Sequence, residues 1–241
     1  MIKAIIFDKD GTLIDLGNTW DEPTIHAMDV MLELTDLSLV EKIKFKQKIG
    51  VEATCIVPNS VVAAGSISEQ AALLSEVVPQ PINEIALKLE QLYLDYIVRS
   101  DVELDVIAHA ESTLKALKEK YVIGLVTNDN RSITEASLTK AGLNIYFDYI
   151  ACADDFKPKP DPIALHDFSQ KYSIGLDEMV YVGDSSVDMI YGQYTKASIG
   201  FALEDEHLVH LTEADYIIRS FEQLPAIIQS INKGKKESNN E

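Results

Sequence analysis

Cysteine is nearly absent: Cys55 and Cys152 are the only two among 241 residues. Two isolated thiols make neither a disulfide framework nor a zinc-ligand spacing. They fit a reducing compartment, and the cytoplasm is expected. Long apolar runs are also missing. None approaches the ~20 residues that cross a bilayer, and the opening MIKAIIFDKDG meets acidic residues too soon for a secretory signal. Basic residues are scarce, 21 Lys and Arg against 39 Asp and Glu, for a formal charge of −18. Such a field disfavours nucleic acid and anionic membrane surfaces as partners. It also repels phosphorylated molecules, so any anion site must be built locally. The five histidines form no ligand-spaced cluster, and none is assigned to chemistry. Internal repeats are absent as well.

What is present begins with AIIFDKDGTLID, residues 4–15. A short apolar run of this kind is a buried strand candidate. An ionised carboxylate buried there is costly unless it is paired or holds a metal. Asp8 and Asp10 are therefore expected at the strand's end, facing something cationic.

Five more short apolar runs, rich in β-branched or aromatic residues, predict strands at 121–128, 147–154, 178–184, 197–203 and 214–220. Helical patterns separate most of them. In 106–120 the residues Ile107, Ala110, Leu114 and Leu117 recur at helical spacing. The segment 132–143 opens with Ser132 as a cap and Glu135 three residues on, and 162–172 starts with a proline in its first turn. A further helix is expected after the fourth strand, within 186–197. Alternation of strands and helices implies an α/β fold, a Rossmann-like doubly wound parallel sheet with helices on both faces. Residues 16–102 break the rhythm: 22–50 and 81–100 read as helical, and 51–66 reads as a turn or loop. A core built from 1–15 and 103–232, an inserted helical cap over 16–102, and a disordered polar tail at 233–241 are the expected organisation.

In parallel α/β sheets, ligands bind outside the carboxyl ends of the strands. At those ends lie Asp8 and Asp10, Thr127 and Asn128, the loop FKPKPDP, and Asp184 with Asp188 one helical turn on. Carboxylates this close cannot all stay ionised alone. An oxygen-only donor set of this kind points to a hard divalent cation, Mg²⁺.

The ordered set FDKDGTL, VTN, KPKPDP and GDSSVD resembles the haloacid dehalogenase superfamily. The position of the insertion resembles the cap of its phosphoglycolate phosphatase and β-phosphoglucomutase subgroup. The resemblance implies Asp8 as the nucleophile that forms an aspartyl-phosphate, and Asp10 as general acid and then general base. Asp8, the Asp10 backbone carbonyl and Asp184 would hold Mg²⁺, with Asp188 helping directly or through water. Gly11 lets the chain turn sharply after the strand, and Thr127 and Asn128 would bind the phosphoryl oxygens. The family's Lys-Pro-x-Pro pattern falls on Lys157, which is expected to neutralise the nucleophile and the phosphoryl group, with Lys159 as the alternative. Ser185 would bond to the metal's shell or cap a helix.

An aspartate two residues after the nucleophile is missing from the superfamily's dehalogenases, and its phosphonate hydrolases have a small residue there. Asp10 therefore favours a Mg²⁺-dependent phosphatase acting on a small phosphorylated metabolite, with a phosphomutase or a non-catalytic phosphate-binding module as alternatives. A monomer or homodimer is expected. Asn59, Ser60, Lys44, Lys46, Lys48 and Arg99 are candidates for contacting the rest of the substrate, although the charged ones read more readily as surface. Trp20 reads as packing among the cap helices in preference to lining the cleft.

Overall fold

The computed structural model describes residues 1–99 and 101–234. Most of the tail expected to be disordered, 235–241, lies outside the described residues.

Strand β1 (Ala4–Phe7) is buried along its whole length. It can be, because it is paired on both sides and its four residues carry no polar side chain. Helices α1 (Leu16–Leu32), α2 (Leu39–Ile49), α3 (Val61–Ala64), α4 (Ile67–Leu74) and α5 (Ile82–Ile97) follow before the chain returns through α6 (Ala110–Lys118) to β2 (Val122–Val126). Then come α7 (Arg131–Lys140), β3 (Tyr149–Ala151), α8 (Ile163–Tyr172), β4 (Met179–Gly183), α9 (Ser186–Gly192), β5 (Ala197–Phe201), β6 (Tyr216–Ile218) and α10 (Leu224–Asn232).

The six strands form one sheet in the order β3-β2-β1-β4-β5-β6, and every pair is parallel. From β1 the chain builds outward through β2 and β3, then returns to place β4 on β1's other side. That reversal opens a crevice at the carboxyl ends of the central strands. The expected α/β fold is therefore present, with each strand trimmed so that Thr127, Asn128 and Asp184 lie just past a strand end.

Three large apolar clusters and a small one around Met189, Ala202 and Leu211 hold the molecule. One face of the sheet packs on α6 and α10 through Leu114, Leu117, Ile228 and their neighbours. The other packs on α8 and α9 around Phe168, Tyr181 and Tyr191. The third lies within the inserted helices, joining Trp20, Met28, Met31, Leu74, Ile85 and Leu89, and takes in Ile133 of α7.

The insertion leaves and re-enters the sheet region through two adjacent segments. Asp15 N–H donates to the Asp105 carbonyl at 2.7 Å, Ile107 N–H donates to the Leu13 carbonyl at 2.9 Å, and Ile14 bridges Val106.

Several local expectations shift. Helix α6 starts at Ala110, not at 106, because Val106 pairs with Ile14 and His109 takes a left-handed backbone, φ 66°. Helix α7 is capped at Asn130, and the Ser132 hydroxyl instead bonds Glu90 of α5. The helix expected from residue 22 begins at Leu16, where Asp15 accepts from Asn18 N–H at 2.8 Å. The stretch read as loop contains a Val51–Ile56 bridge and the single turn of α3.

Candidate active site

Asp8 follows β1 and is buried. Its Oδ1 accepts a 2.6 Å hydrogen bond from Lys159 Nζ. The same ammonium donates to Asp188 Oδ1 at 2.7 Å and lies 3.0 Å from the Tyr181 hydroxyl. Only 4% of the Lys159 side chain is exposed. Its backbone N–H donates to Asn128 Oδ1 at 2.8 Å, which fixes the loop after β3 against the end of β2. This corrects the expected choice of lysine. Lys157 is 75% exposed and reaches only Asp161, at 3.5 Å. Residues two apart in extended backbone would share a side, so spacing alone does not separate the two lysines; the bond from the Lys159 amide to Asn128 does.

Asp184 stands past β4, where Thr12 Oγ1 donates to its Oδ1 at 2.8 Å. Gly11 is required beside it. Its φ is +76°, and a Cβ there would lie 2.2 Å from Asp184 Oδ2. Asp188 is fully buried and fully engaged. Its Oδ1 accepts from Lys159 and Tyr181 (2.8 Å), and its Oδ2 accepts from the Asp184 and Ser185 amides and the Ser185 hydroxyl. Ser185 is the N-cap of α9, and its hydroxyl is spent on that capping box.

One oxygen each from Asp8, Asp184 and Asp188 lies within 4.8 Å of the others. Lys159 is the only lysine or arginine that these three carboxylates reach among the described residues. Burial, with repulsion from Asp188, raises the Asp8 carboxyl to about 7. Burial, with repulsion from Asp188 and Asp8, pushes Asp184 well above the carboxylate range. Despite its burial, Asp188 is held below that range by Lys159 and its hydrogen bonds. Asp8 and Asp184 are thus under-compensated oxygen donors, and the site fits a hard divalent cation. With both oxygens of Asp188 taken by protein donors, the acids left open are Asp8 and Asp184. Asp188, expected to help hold the metal directly or through water, belongs to that cluster while both its oxygens also accept from protein donors, Lys159 among them.

Asp10 lines the same cavity as Asp8 and Asp184, but its carboxylate oxygens contact Trp20 and Lys9, and the metal role expected of Asp10 falls to its backbone carbonyl. Its Oδ1 accepts from Trp20 Nε1 at 2.6 Å, and its Oδ2 lies 2.6 Å from Lys9 Nζ. Trp20 does pack among the inserted helices, edge-on to Tyr93 at 5.8 Å. It also reaches Asp10 through its indole N–H, so the packing reading and the cleft reading weighed against it both describe part of its role. Lys9 and Asp129, which were not singled out, form an ion pair at 2.9 Å, with Lys9 fully buried and Asp129 partly exposed. The signal was there: a lysine stands between two aspartates in an otherwise apolar strand end, and an aspartate directly follows the Thr-Asn pair.

A cavity of about 40 Å³ lies over these groups, lined by Asp8, Asp10, Thr127, Lys159 and Asp184 below and by Asn59 and Ala63–Gly65 of the insertion above. That holds a phosphoryl-sized group and little more. Thr127 Oγ1 accepts from the Asp129 amide at 3.2 Å. The Asn128 side chain donates to the Ala64 carbonyl at 2.9 Å and so ties the insertion to the floor. Asn59 Oδ1 does the same with the Ser186 amide and hydroxyl, at 3.2 and 2.9 Å. The other candidates from the insertion are placed elsewhere. Lys46 pairs with Asp29, Lys48 with Glu76 and Arg99 with Asp101, Lys44 is exposed, and the Ser60 hydroxyl is buried against Gly50. None of these five lines the cavity.

An α/β crevice that sets a carboxylate against a buried lysine and further acids defines a hydrolytic enzyme site. The chain belongs to the haloacid dehalogenase-like hydrolase family, whose profile matches residues 5–202. It is 26% identical to a phosphoglycolate phosphatase of Vibrio vulnificus over 234 residues, 94% of this chain and 96% of that one. In structure it is similar to a predicted phosphoglycolate phosphatase of Haemophilus somnus (TM-score 0.69, 20% identity, 95% and 98% of the two chains). It is also similar to a β-phosphoglucomutase of Clostridium difficile (TM-score 0.68, 21% identity, 97% and 99%). Among the described residues, no helix is long and apolar enough to cross a membrane.

Proposed function

We propose that the chain is a Mg²⁺-dependent phosphatase that hydrolyses a small phosphorylated metabolite through an aspartyl-phosphate. The observation that carries this reading is the Asp8–Lys159 contact beneath a phosphoryl-sized cavity. Lys159 holds Asp8 Oδ1 and leaves Oδ2 to attack phosphorus. The P–O bond to the leaving group breaks as the Asp8 O–P bond forms, and Asp10 gives its proton to the departing alkoxide. Asp10 then takes a proton from water as the water's oxygen attacks phosphorus, and Asp8 leaves as a carboxylate. Lys159 offsets negative charge on the transferring group throughout.

Asp8, Asp184 and the Asp10 carbonyl would hold Mg²⁺. When bound there, the ion supplies positive charge that keeps both carboxylates ionised and offsets the phosphoryl oxygens. The curated relatives' names favour a phosphoglycolate-like substrate. The cytoplasm remains the expected compartment.

The test is phosphate release from phosphoglycolate, sugar phosphates and nucleotides, with Mg²⁺ and with EDTA. Metal-dependent release from one or a few of these supports the reading. Isomer formation without phosphate release would replace it with a mutase, and neither outcome, in a chain that still binds phosphate, would leave a binding module.

A further inference from the structure

Among the described residues, Lys9 is the one fully buried cation that the chemistry above does not use. Its side chain is 0% exposed, yet it stands at the centre of the site's second charge cluster. Nζ lies 2.6 Å from Asp10 Oδ2, 2.9 Å from Asp129 Oδ2 and 5.1 Å from the centroid of the Trp20 ring. The contacts are those of ion pairs and not of well-aligned hydrogen bonds, because Nζ and Asp129 Oδ2 lack a properly angled partner. Asp129 is itself anchored. Its amide donates to Thr127 Oγ1, and its carbonyl accepts from Ala153 N–H at 2.9 Å. One oxygen of Asp10 is thus held by a lysine fixed to the core, and the other by an indole of the insertion.

A fully buried lysine carries a heavy desolvation cost, and an apolar residue of similar length would fill the space as well. Structure alone gives little reason for it. We infer that Lys9, fixed by Asp129, is a positioning residue that aims the Asp10 carboxylate at the phosphoryl site. The inference rests on the reading of Asp10 as acid and base. Lys9 acts through Asp10 and not on the phosphoryl group, which Lys159 serves. Its loss should therefore slow the steps that need Asp10 and spare the attack by Asp8.

The probe is p-nitrophenyl phosphate, whose leaving group departs without a proton. Attack by Asp8 on this compound needs no help from Asp10, whereas hydrolysis of the aspartyl-phosphate does. In Lys9→Met, steady-state turnover should fall on the order of 10²-fold, the size of effect that misaimed groups produce. A burst of nitrophenolate stoichiometric with enzyme should precede it, and acid-quenched protein should carry phosphate. Lys9→Arg should recover part of the rate.

Lys9→Met leaves the partly exposed Asp129 without its cation, so the variant's fold is controlled by the pair Lys9→Met/Asp129→Asn. The expected result is recovered thermal stability with turnover still low. Two results would overturn the inference: recovery of turnover together with stability, or a Lys9→Met variant that turns over within threefold of the parent with no burst. Asp8→Asn separates this from failure of the mechanism, since phosphate release by that variant at the parent's rate would remove the aspartyl-phosphate reading altogether.

Discussion

Replacing Asp8, the proposed nucleophile, should make the metal-free protein more stable. Asp8 is buried beside Asp188, and burial is the larger reason that its carboxyl sits at about 7 against an ordinary 3.8. The folded state therefore prefers Asp8 protonated. For a carboxyl raised in this way, folding is favoured at low pH, and that advantage is lost as pH climbs from 3.8 through 7. The difference is about 3 units, and each unit corresponds to 1.36 kcal/mol, so ionised Asp8 costs the metal-free fold about 4 kcal/mol at pH 8.5. At pH 5.5 the cost is only about 2 kcal/mol, because just 1.7 units separate that pH from the unfolded value. Asn keeps an oxygen for Lys159 and never ionises. In EDTA, Asp8→Asn should raise Tm by roughly 8–16 °C at pH 8.5, from the usual 2–4 °C per kcal/mol for a chain of this size, and by about half as much at pH 5.5. Scanning calorimetry with EDTA across that range measures it. Added Mg²⁺ should narrow the gap by stabilising the parent and not the variant. A variant less stable than the parent at pH 8.5, or a gap that widens towards pH 5.5, would refute the argument that Asp8 is an under-compensated buried charge.

The two lysines of the Pro-rich loop should separate cleanly. Lys157→Ala should leave kcat/KM unchanged within twofold, whereas Lys159→Met should abolish phosphate release and lower stability by about 3–5 kcal/mol, since it strands Asp8 and Asp188 without their cation. Gly11→Ala forces a left-handed alanine into Asp184 and should weaken Mg²⁺ activation about 10–100-fold, the range seen when a ligand's support is disturbed; a Mg²⁺ titration of activity reads it. Asp10→Asn should reduce kcat by ~10²–10⁴-fold on alkyl phosphates, and by less when kcat is limited by attack on an activated aryl phosphate.

Much of this was legible before any coordinates. The strands announced themselves through short β-branched runs, and the parallel sheet followed from their alternation with helices. The carboxylates at strand ends named the site's chemistry, because only a cation makes such a cluster tolerable. What failed was direction within loops. Lys157 and Lys159 carry the same charge in the same Pro-rich frame, and the hydrogen bond from the Lys159 amide to Asn128, which selects the inward one, joins residues 31 apart in sequence. Helix starts slipped for a similar reason: Ser132 has the makings of a cap, but Glu90 captures its hydroxyl from across the fold. Trp20 was rightly placed in apolar packing, yet one polar atom on a large ring is enough to give it a second contact, with Asp10. Lys9 went unread because a short apolar run announces the strand and not its neighbour, although the Lys between two aspartates and the Asp after Thr-Asn were both in view.

The paired segments at Leu13–Asp15 and Asp105–Ile107 have a consequence for how this enzyme can change. The inserted helices begin and end at adjacent points and carry their own apolar cluster. A segment attached in that way can be lengthened, shortened or exchanged for another without altering the register of any strand. The residues that break the phosphate bond and the residues that roof the cavity can therefore diverge at different rates. A graft that joins a foreign helical segment at these two points should keep the chemistry of the floor and acquire the selectivity of the new roof.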